Sequence, residues 1–198
     1  MRVAHVQIEW NHWRIASVRP DHVLRVAPLP DQPRGRKAAL MAEHWTQIRD
    51  QGWAGVIWQD PDIVCDPDDL DAMREQARDY PAWVGVAAHK LWPASTMRDA
   101  WVWAHGIMAG DRPVLSQRMQ PRAEWFALGL TYTPAALLNL ALPHMPAWVF
   151  GQVDSGLGAV ARQHGITGRV VPHARPKHLH FYPREDDASW RPGTVQSP

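Results

Sequence analysis

The chain is 198 residues long and carries 21 Lys plus Arg against 20 Asp plus Glu, a formal charge of +1. A balance this close to neutral gives no global field for drawing in nucleic acid or an anionic membrane, so any basic site must be local. The single cysteine, Cys65, excludes an internal disulfide and a cysteine-based zinc cluster, and suits a reducing cytoplasm.

The length fits one domain around one core, which hides roughly 70% of the unfolded surface at this size. The first ten residues mix Arg2, His5 and Glu9 with apolar ones and lack the apolar run of a signal peptide. No apolar stretch approaches the roughly 20 residues of a membrane span, so a soluble, cytoplasmic protein without a membrane span is expected. Twelve tryptophans read mainly as core fillers, because large aromatics bury area efficiently. Trp92, Trp101 and Trp103 are the candidates for stacking on a sugar or base.

In chain order, residues 3–8 read as a short strand and 22–27 as another. Residues 28–37 form a basic connection in which Pro28, Pro30, Pro33 and Gly35 exclude regular structure. From Ala38, the positions Met41, Ala42, Trp45 and Ile48 recur at helical spacing, with Gly52 placed as a C-cap. Residues 53–58, Trp-Ala-Gly-Val-Ile-Trp, are apolar enough to be a central strand covered on both faces. Asp66 then caps a helix with Pro67 at its first position and Leu70, Met73 and Ala77 as its buried stripe.

Residues 83–88 read as a further strand, and 89–122 carry mixed signals that leave room for an acceptor-facing loop. Residues 125–132 read as a strand, Thr133-Pro134 starts a helix through Leu142, and Asp154 caps a helix running to Gly165. Residues 169–171 read as the last strand. This alternation predicts an α/β layered fold with a mainly parallel central sheet flanked by helices, with ligands beyond the carboxyl ends of the strands. Residues 1–183 form the expected single domain, and the polar stretch 184–198 reads as a disordered tail.

The chemistry concentrates at Gln59-Asp60-Pro61-Asp62, directly after the central strand. Two carboxylates one residue apart on an extended chain share a face and suit one hard cation, Mg²⁺ or Mn²⁺. The competing reading is a turn, since Asp and Pro are common turn residues.

Further matches widen this motif into a resemblance. Arg36-Lys37-Ala38-Ala39-Leu40, the run from Trp53 to Val64 and Asp66-Pro67-Asp68-Asp69-Leu70 resemble a helix, strand, DxD loop and helix start of glycosyltransferases. The group concerned is the A-type (GT-A) fold, family-2-like. Ala127-Leu128-Gly129-Leu130 with 133–138 resembles that family's acceptor-side strand and helix. Asp154-Ser155-Gly156-Leu157 is similar to its "ED" helix, and 165–178, with Val171-Pro172 and Ala174-Arg175, to its "G…VP.AR..H" ending.

The resemblance implies a Rossmann-like GT-A fold and an inverting transfer of sugar from a nucleotide-sugar donor to a hydroxyl-bearing acceptor, whether glycan, protein or small molecule. Asp60 and Asp62 would hold Mn²⁺ or Mg²⁺, Asp60 also facing the donor. His178 would complete the metal or diphosphate contact, with His180 in reserve, and Asp154 would be the general base. Arg34, Arg36 and Lys37 are candidates for the nucleotide diphosphate, a solvated basic loop being the alternative, and Asp21 for the base or ribose. No nucleic acid is expected as partner. Val153 stands where the family has a glutamate, Arg162 is displaced from the expected arginine, and no nucleotide loop is recognisable between Met1 and Asp31. These departures leave a second function open, a catalytically inactive GT-A-like module that binds carbohydrate or protein.

Overall fold

The computed structural model describes residues 1–10, 14, 17–27, 36–79, 82–86, 89–91, 101–109, 112–116, 122–148, 152–171, 174 and 176–178. The chain opens with strands β1 (Ala4–Trp10) and β2 (His22–Val26), followed by helix α1 (Lys37–Ile48). Then come β3 (Gly55–Gln59), the short β4 (Ile63–Val64), helix α2 (Pro67–Asp79) and β5 (Trp83–Val86). Strands β6 (His89–Leu91), β7 (Trp101–Ala109), β8 (Arg112–Ser116), β9 (Arg122–Ala123), β10 (Trp125–Phe126) and β11 (Leu130–Pro134) follow. Helices α3 (Ala135–Ala141) and α4 (Gln152–Gln163) and strands β12 (Gly168–Val171) and β13 (Lys177–His178) complete the described elements.

Seven strands form the central sheet in the order β2-β1-β3-β11-β5-β12-β9. Strands β1, β2, β3, β5 and β12 run one way, and β11 and β9 run against them. The sheet is therefore mixed but mostly parallel. The expected double burial of the central strand holds: all five residues of β3 are buried. Val56 and Trp58 join one apolar cluster with Met41, Trp45 and Ile48 of α1. Ile57 joins a second with Leu70, Met73 and Ala77 of α2. The period-two alternation of the strand thus divides its side chains between two helical layers.

Local chemistry sets the helix ends. A 3₁₀ turn, Arg49–Gln51, extends α1 to Gly52, whose φ of 77° is the left-handed conformation that ends a helix cheaply only with glycine. At the start of α2 the Asp69 N–H donates to Asp66 Oδ1 (2.9 Å) and the Asp66 N–H to Asp69 Oδ2 (3.1 Å), a reciprocal capping box.

Four expectations need correction. Residues 125–132 do not form one strand: a turn at Leu128-Gly129 splits them into β10, which pairs with β7 in a second sheet, and β11, which runs antiparallel between β3 and β5. Of residues 89–122, unassigned from the sequence, the described ones form β6, β7 and β8, which pair antiparallel in that second sheet, and the start of β9. Thr133 and Pro134 end β11, and α3 begins at Ala135. Lys37 belongs to α1, not to the connection before it, and Asp154 lies in the first turn of α4, not at its cap. Residues 28–35 and the tail 184–198 lie outside the described residues. Among the described residues no helix is long and apolar enough to cross a membrane.

Gly168 shows how tightly the central sheet meets β10. A β-carbon there would overlap the Ala123 carbonyl oxygen and the Phe126 ring, and Phe126 already packs edge-on against Trp83 at 5.0 Å between ring centroids. Because one obstacle is backbone, Gly168→Ala should lower unfolding stability by about 1–3 kcal/mol. Urea titration checks this: the midpoint should fall at unchanged slope.

Candidate functional site

The chain leaves β1 toward β2 on one side and leaves β3, through α2, toward β5 on the other. The carboxyl ends of neighbouring β1 and β3 therefore flank a topological switch point, where open α/β sheets leave a crevice for ligands. Asp60 is the first residue beyond β3. Its N–H donates to the Gly129 carbonyl (2.8 Å), and its own carbonyl accepts from the Ile63 N–H (3.2 Å), closing the turn Asp60-Pro61-Asp62-Ile63. The carboxylates are thus presented by a turn rather than by alternate positions of an extended strand.

Lys37, the first residue of α1, points into this turn: its Nζ donates to Asp60 Oδ1 at 2.6 Å. Only 13% of the Lys37 side chain and 25% of the Asp60 side chain is exposed. Burial alone would pull the ammonium down, but the charges of Asp60, Asp154 and Asp62 outweigh it and hold Lys37 above its ordinary value. Lys37 is therefore a fixed cation at neutral pH.

Asp154 acts on this amine by its charge from the first turn of α4, where the helix dipole favours an anion. Val153 and Leu157 of the same helix are buried and anchor it in the core. Carboxylates almost a hundred residues apart in sequence thus act on one amine.

Buried polar residues brace the turn from below. The Gln59 amide, fully buried, donates from Nε2 to the Ile63 carbonyl (2.7 Å) and to Ser17 Oγ (3.4 Å). Its Oε1 accepts from His5 Nε2 at 2.8 Å. Ser17 Oγ in turn accepts the Cys65 N–H (3.2 Å). Both strands of the turn's exit are also tied down, since β4 pairs with β13 in the register Lys177↔Val64 and His178↔Ile63. His178 is thereby aligned with the residue after Asp62.

The structure treats the remaining candidates differently. Asp21 lies at the amino end of β2, where its carboxylate accepts the His5 N–H (2.8 Å) and its N–H donates to the His5 carbonyl (2.9 Å). It is not brought to Asp60. Arg36 is exposed and pairs with Glu43 at 3.1 Å. Arg34, Trp92 and His180 lie outside the described residues, and Trp101 and Trp103 stand two apart on β7. Arg162 is exposed near the end of α4.

The residues not anticipated are Gln59, His5, Ser17 and Arg14, whose guanidinium donates to Gln7 and lies 3.5 Å from Glu9 at the carboxyl end of β1. The available signal was a polar residue inside otherwise apolar strands: His5 and Gln7 in β1, Gln59 in β3.

No protein-family model matches this sequence, and no curated protein matches it. Among solved structures, "Crystal Structure of A197 from STIV" is similar over 93% of this chain and 87% of that one, with a TM-score of 0.58 and 11% identity. At that identity the likeness shows the fold alone, an α/β architecture shared across nearly the whole length.

Burial lowers the pKa of His5, partly opposed by its hydrogen bond to Gln59, and burial with the neighbouring His22 lowers that of His44. In the unfolded chain both titrate near 6.5. The unfolded state therefore takes up protons first as pH falls, and stability is full above 6.5 and declines below it. Urea midpoints should be lower at pH 5.5 than at pH 7.5, and His5→Gln with His44→Gln should flatten that dependence.

Proposed function

We propose that this chain is a metal-dependent, inverting glycosyltransferase of the A-type fold, moving a sugar from a nucleotide-sugar donor to a hydroxyl acceptor. The observation that supports it is the convergence of Asp60, Asp62 and Asp154 on Lys37 at the switch point of the sheet. The donor set fits a hard divalent cation: two carboxylates in a half-open turn. Among the described residues no three His, Cys, Asp or Glu side chains are placed to hold an ion by themselves. Mg²⁺ and Mn²⁺ sites of this class use one or two carboxylates and complete the shell with water and substrate phosphates. Asp60 and Asp62 would hold the ion, and His178, paired in register with Ile63, would complete the contact.

When bound, the ion supplies Lewis-acid stabilisation of the departing diphosphate. The chain's own residues do the rest. Asp154 accepts the proton of the acceptor hydroxyl as its oxygen attacks the anomeric carbon and the bond to the diphosphate oxygen breaks. Lys37 offers an ammonium to the phosphate oxygens. A second reading, a non-catalytic binding module, draws on Val153, which is buried in the core where the resembling family carries a glutamate.

Thermal-shift measurements with nucleoside diphosphates and sugar nucleotides, with and without Mn²⁺, test the proposal. A Mn²⁺-dependent shift is expected, abolished in Asp62→Ala. Asp154→Asn should keep donor binding and slow transfer by roughly 10²–10⁴-fold. No shift with any nucleotide would overturn the donor assignment, and donor binding without turnover would select the module.

A further inference from the structure

Lys37 occupies an electrostatically awkward position. A cation at the first residue of a helix faces the positive end of the macrodipole. Helix α1 offers no relief of its own, having neither an acidic residue in its first turn nor a side-chain cap. The compensation comes from outside the helix, from Asp60 at 2.6 Å and from the more distant charges of Asp154 and Asp62. Such a conflict between local preference and tertiary placement is characteristic of functional positions.

The same carboxylate cannot serve two cations equally well. A divalent ion bound at Asp60 would face the Lys37 ammonium at close range and in a partly dry setting, where repulsion between like charges is strong. We infer that Lys37 is a built-in counter-ion for Asp60, displaced when a divalent cation binds and then passed to the anionic diphosphate that arrives with the metal. This rests on the metal-dependent reading and adds a regulatory consequence to it. Metal alone binds poorly, because its arrival strands an ammonium at a positive helix end. Metal and diphosphate together bind well, because the stranded ammonium and the first turn of α1 then meet an anion. The Lys37–Asp60 pair thereby keeps the centre from filling with metal before a donor is present.

Two measurements test this. Calorimetric titration of Mn²⁺ alone should give binding roughly tenfold or more tighter in Lys37→Met than in the wild type, a difference of about 1.4 kcal/mol. The gain should vanish in the double variant Lys37→Met, Asp62→Asn. Equal or weaker Mn²⁺ binding by a folded Lys37→Met, beside measurable wild-type binding, overturns the counter-ion exchange and leaves the metal centre standing. Absence of Mn²⁺ binding to wild type and variant alike overturns both.

The second measurement uses the unaltered chain and so does not depend on how the variant folds. The lysines are Lys37, Lys90 and Lys177, so acetylation can be followed residue by residue by peptide mass spectrometry. Saturating Mn²⁺ should raise the acetylation rate of Lys37 severalfold relative to Lys90, and addition of inorganic pyrophosphate with Mn²⁺ should lower it again. A Lys37 rate indifferent to Mn²⁺, or one that stays high with pyrophosphate, overturns the exchange.

Discussion

The ammonium of Lys37 is the point at which otherwise separate parts of the chain are made to agree. It sits at the start of α1, the turn after β3 supplies Asp60 and Asp62, and the start of α4 supplies Asp154. Each part is held by its own apolar packing: α1 through Met41, Trp45 and Ile48, α4 through Val153 and Leu157. The charges do not make the fold. A half-buried ion pair returns little net stability once its desolvation is counted. What the cluster brings together is the charge of three carboxylates, which offsets the burial of one amine.

Beneath the charges lies a layer of buried polar groups that an apolar sheet would not need. His5 and Gln59 lie on neighbouring strands and bond to each other, and Gln59 bonds on to the turn that carries Asp60 and Asp62. In a dry interior such a bond is strong and its loss expensive, so the turn has little freedom to sample other shapes. The sheet thus acts as a rigid base for a polar site at its edge.

The legible parts of this fold are those where one physical signal dominates. Helices α1 and α2 announce themselves by periodicity and by Gly52, Asp66 and Pro67, and β3 by an unbroken apolar run between turn residues. Strands β10 and β11 look like one strand in the sequence because only Gly129 separates two apolar stretches, and periodicity does not register a two-residue turn. The β7–β8 hairpin lay hidden in residues 89–122 although Gly110-Asp111, the dipeptide between its strands, is itself a hairpin signal. Of the site, Asp60 and Asp62 are legible as a carboxylate pair directly after an apolar strand, whereas Asp154 as a site residue comes only from the family resemblance. The pairing of Lys37 with Asp60 was invisible, because it depends on how α1 is laid across the sheet, and no sequence spacing encodes that.

The antiparallel insertion of β11 also sets a timetable. Strand β3 is flanked by β1, which precedes it in the chain, and by β11, which follows it and ends at Pro134. At ordinary translation rates the wait from Gln59 to Leu130 is roughly 4–14 seconds. Through that interval one side of Gly-Val-Ile-Trp-Gln has no native neighbour, an apolar edge open to mispairing with any other chain nearby. The Asp60 N–H likewise lacks the Gly129 carbonyl that later fixes it. The acidic turn therefore cannot be completed before residue 130 has been made, and a chain stopped short of that point carries the carboxylates of Asp60 and Asp62 on an unguarded, sticky strand.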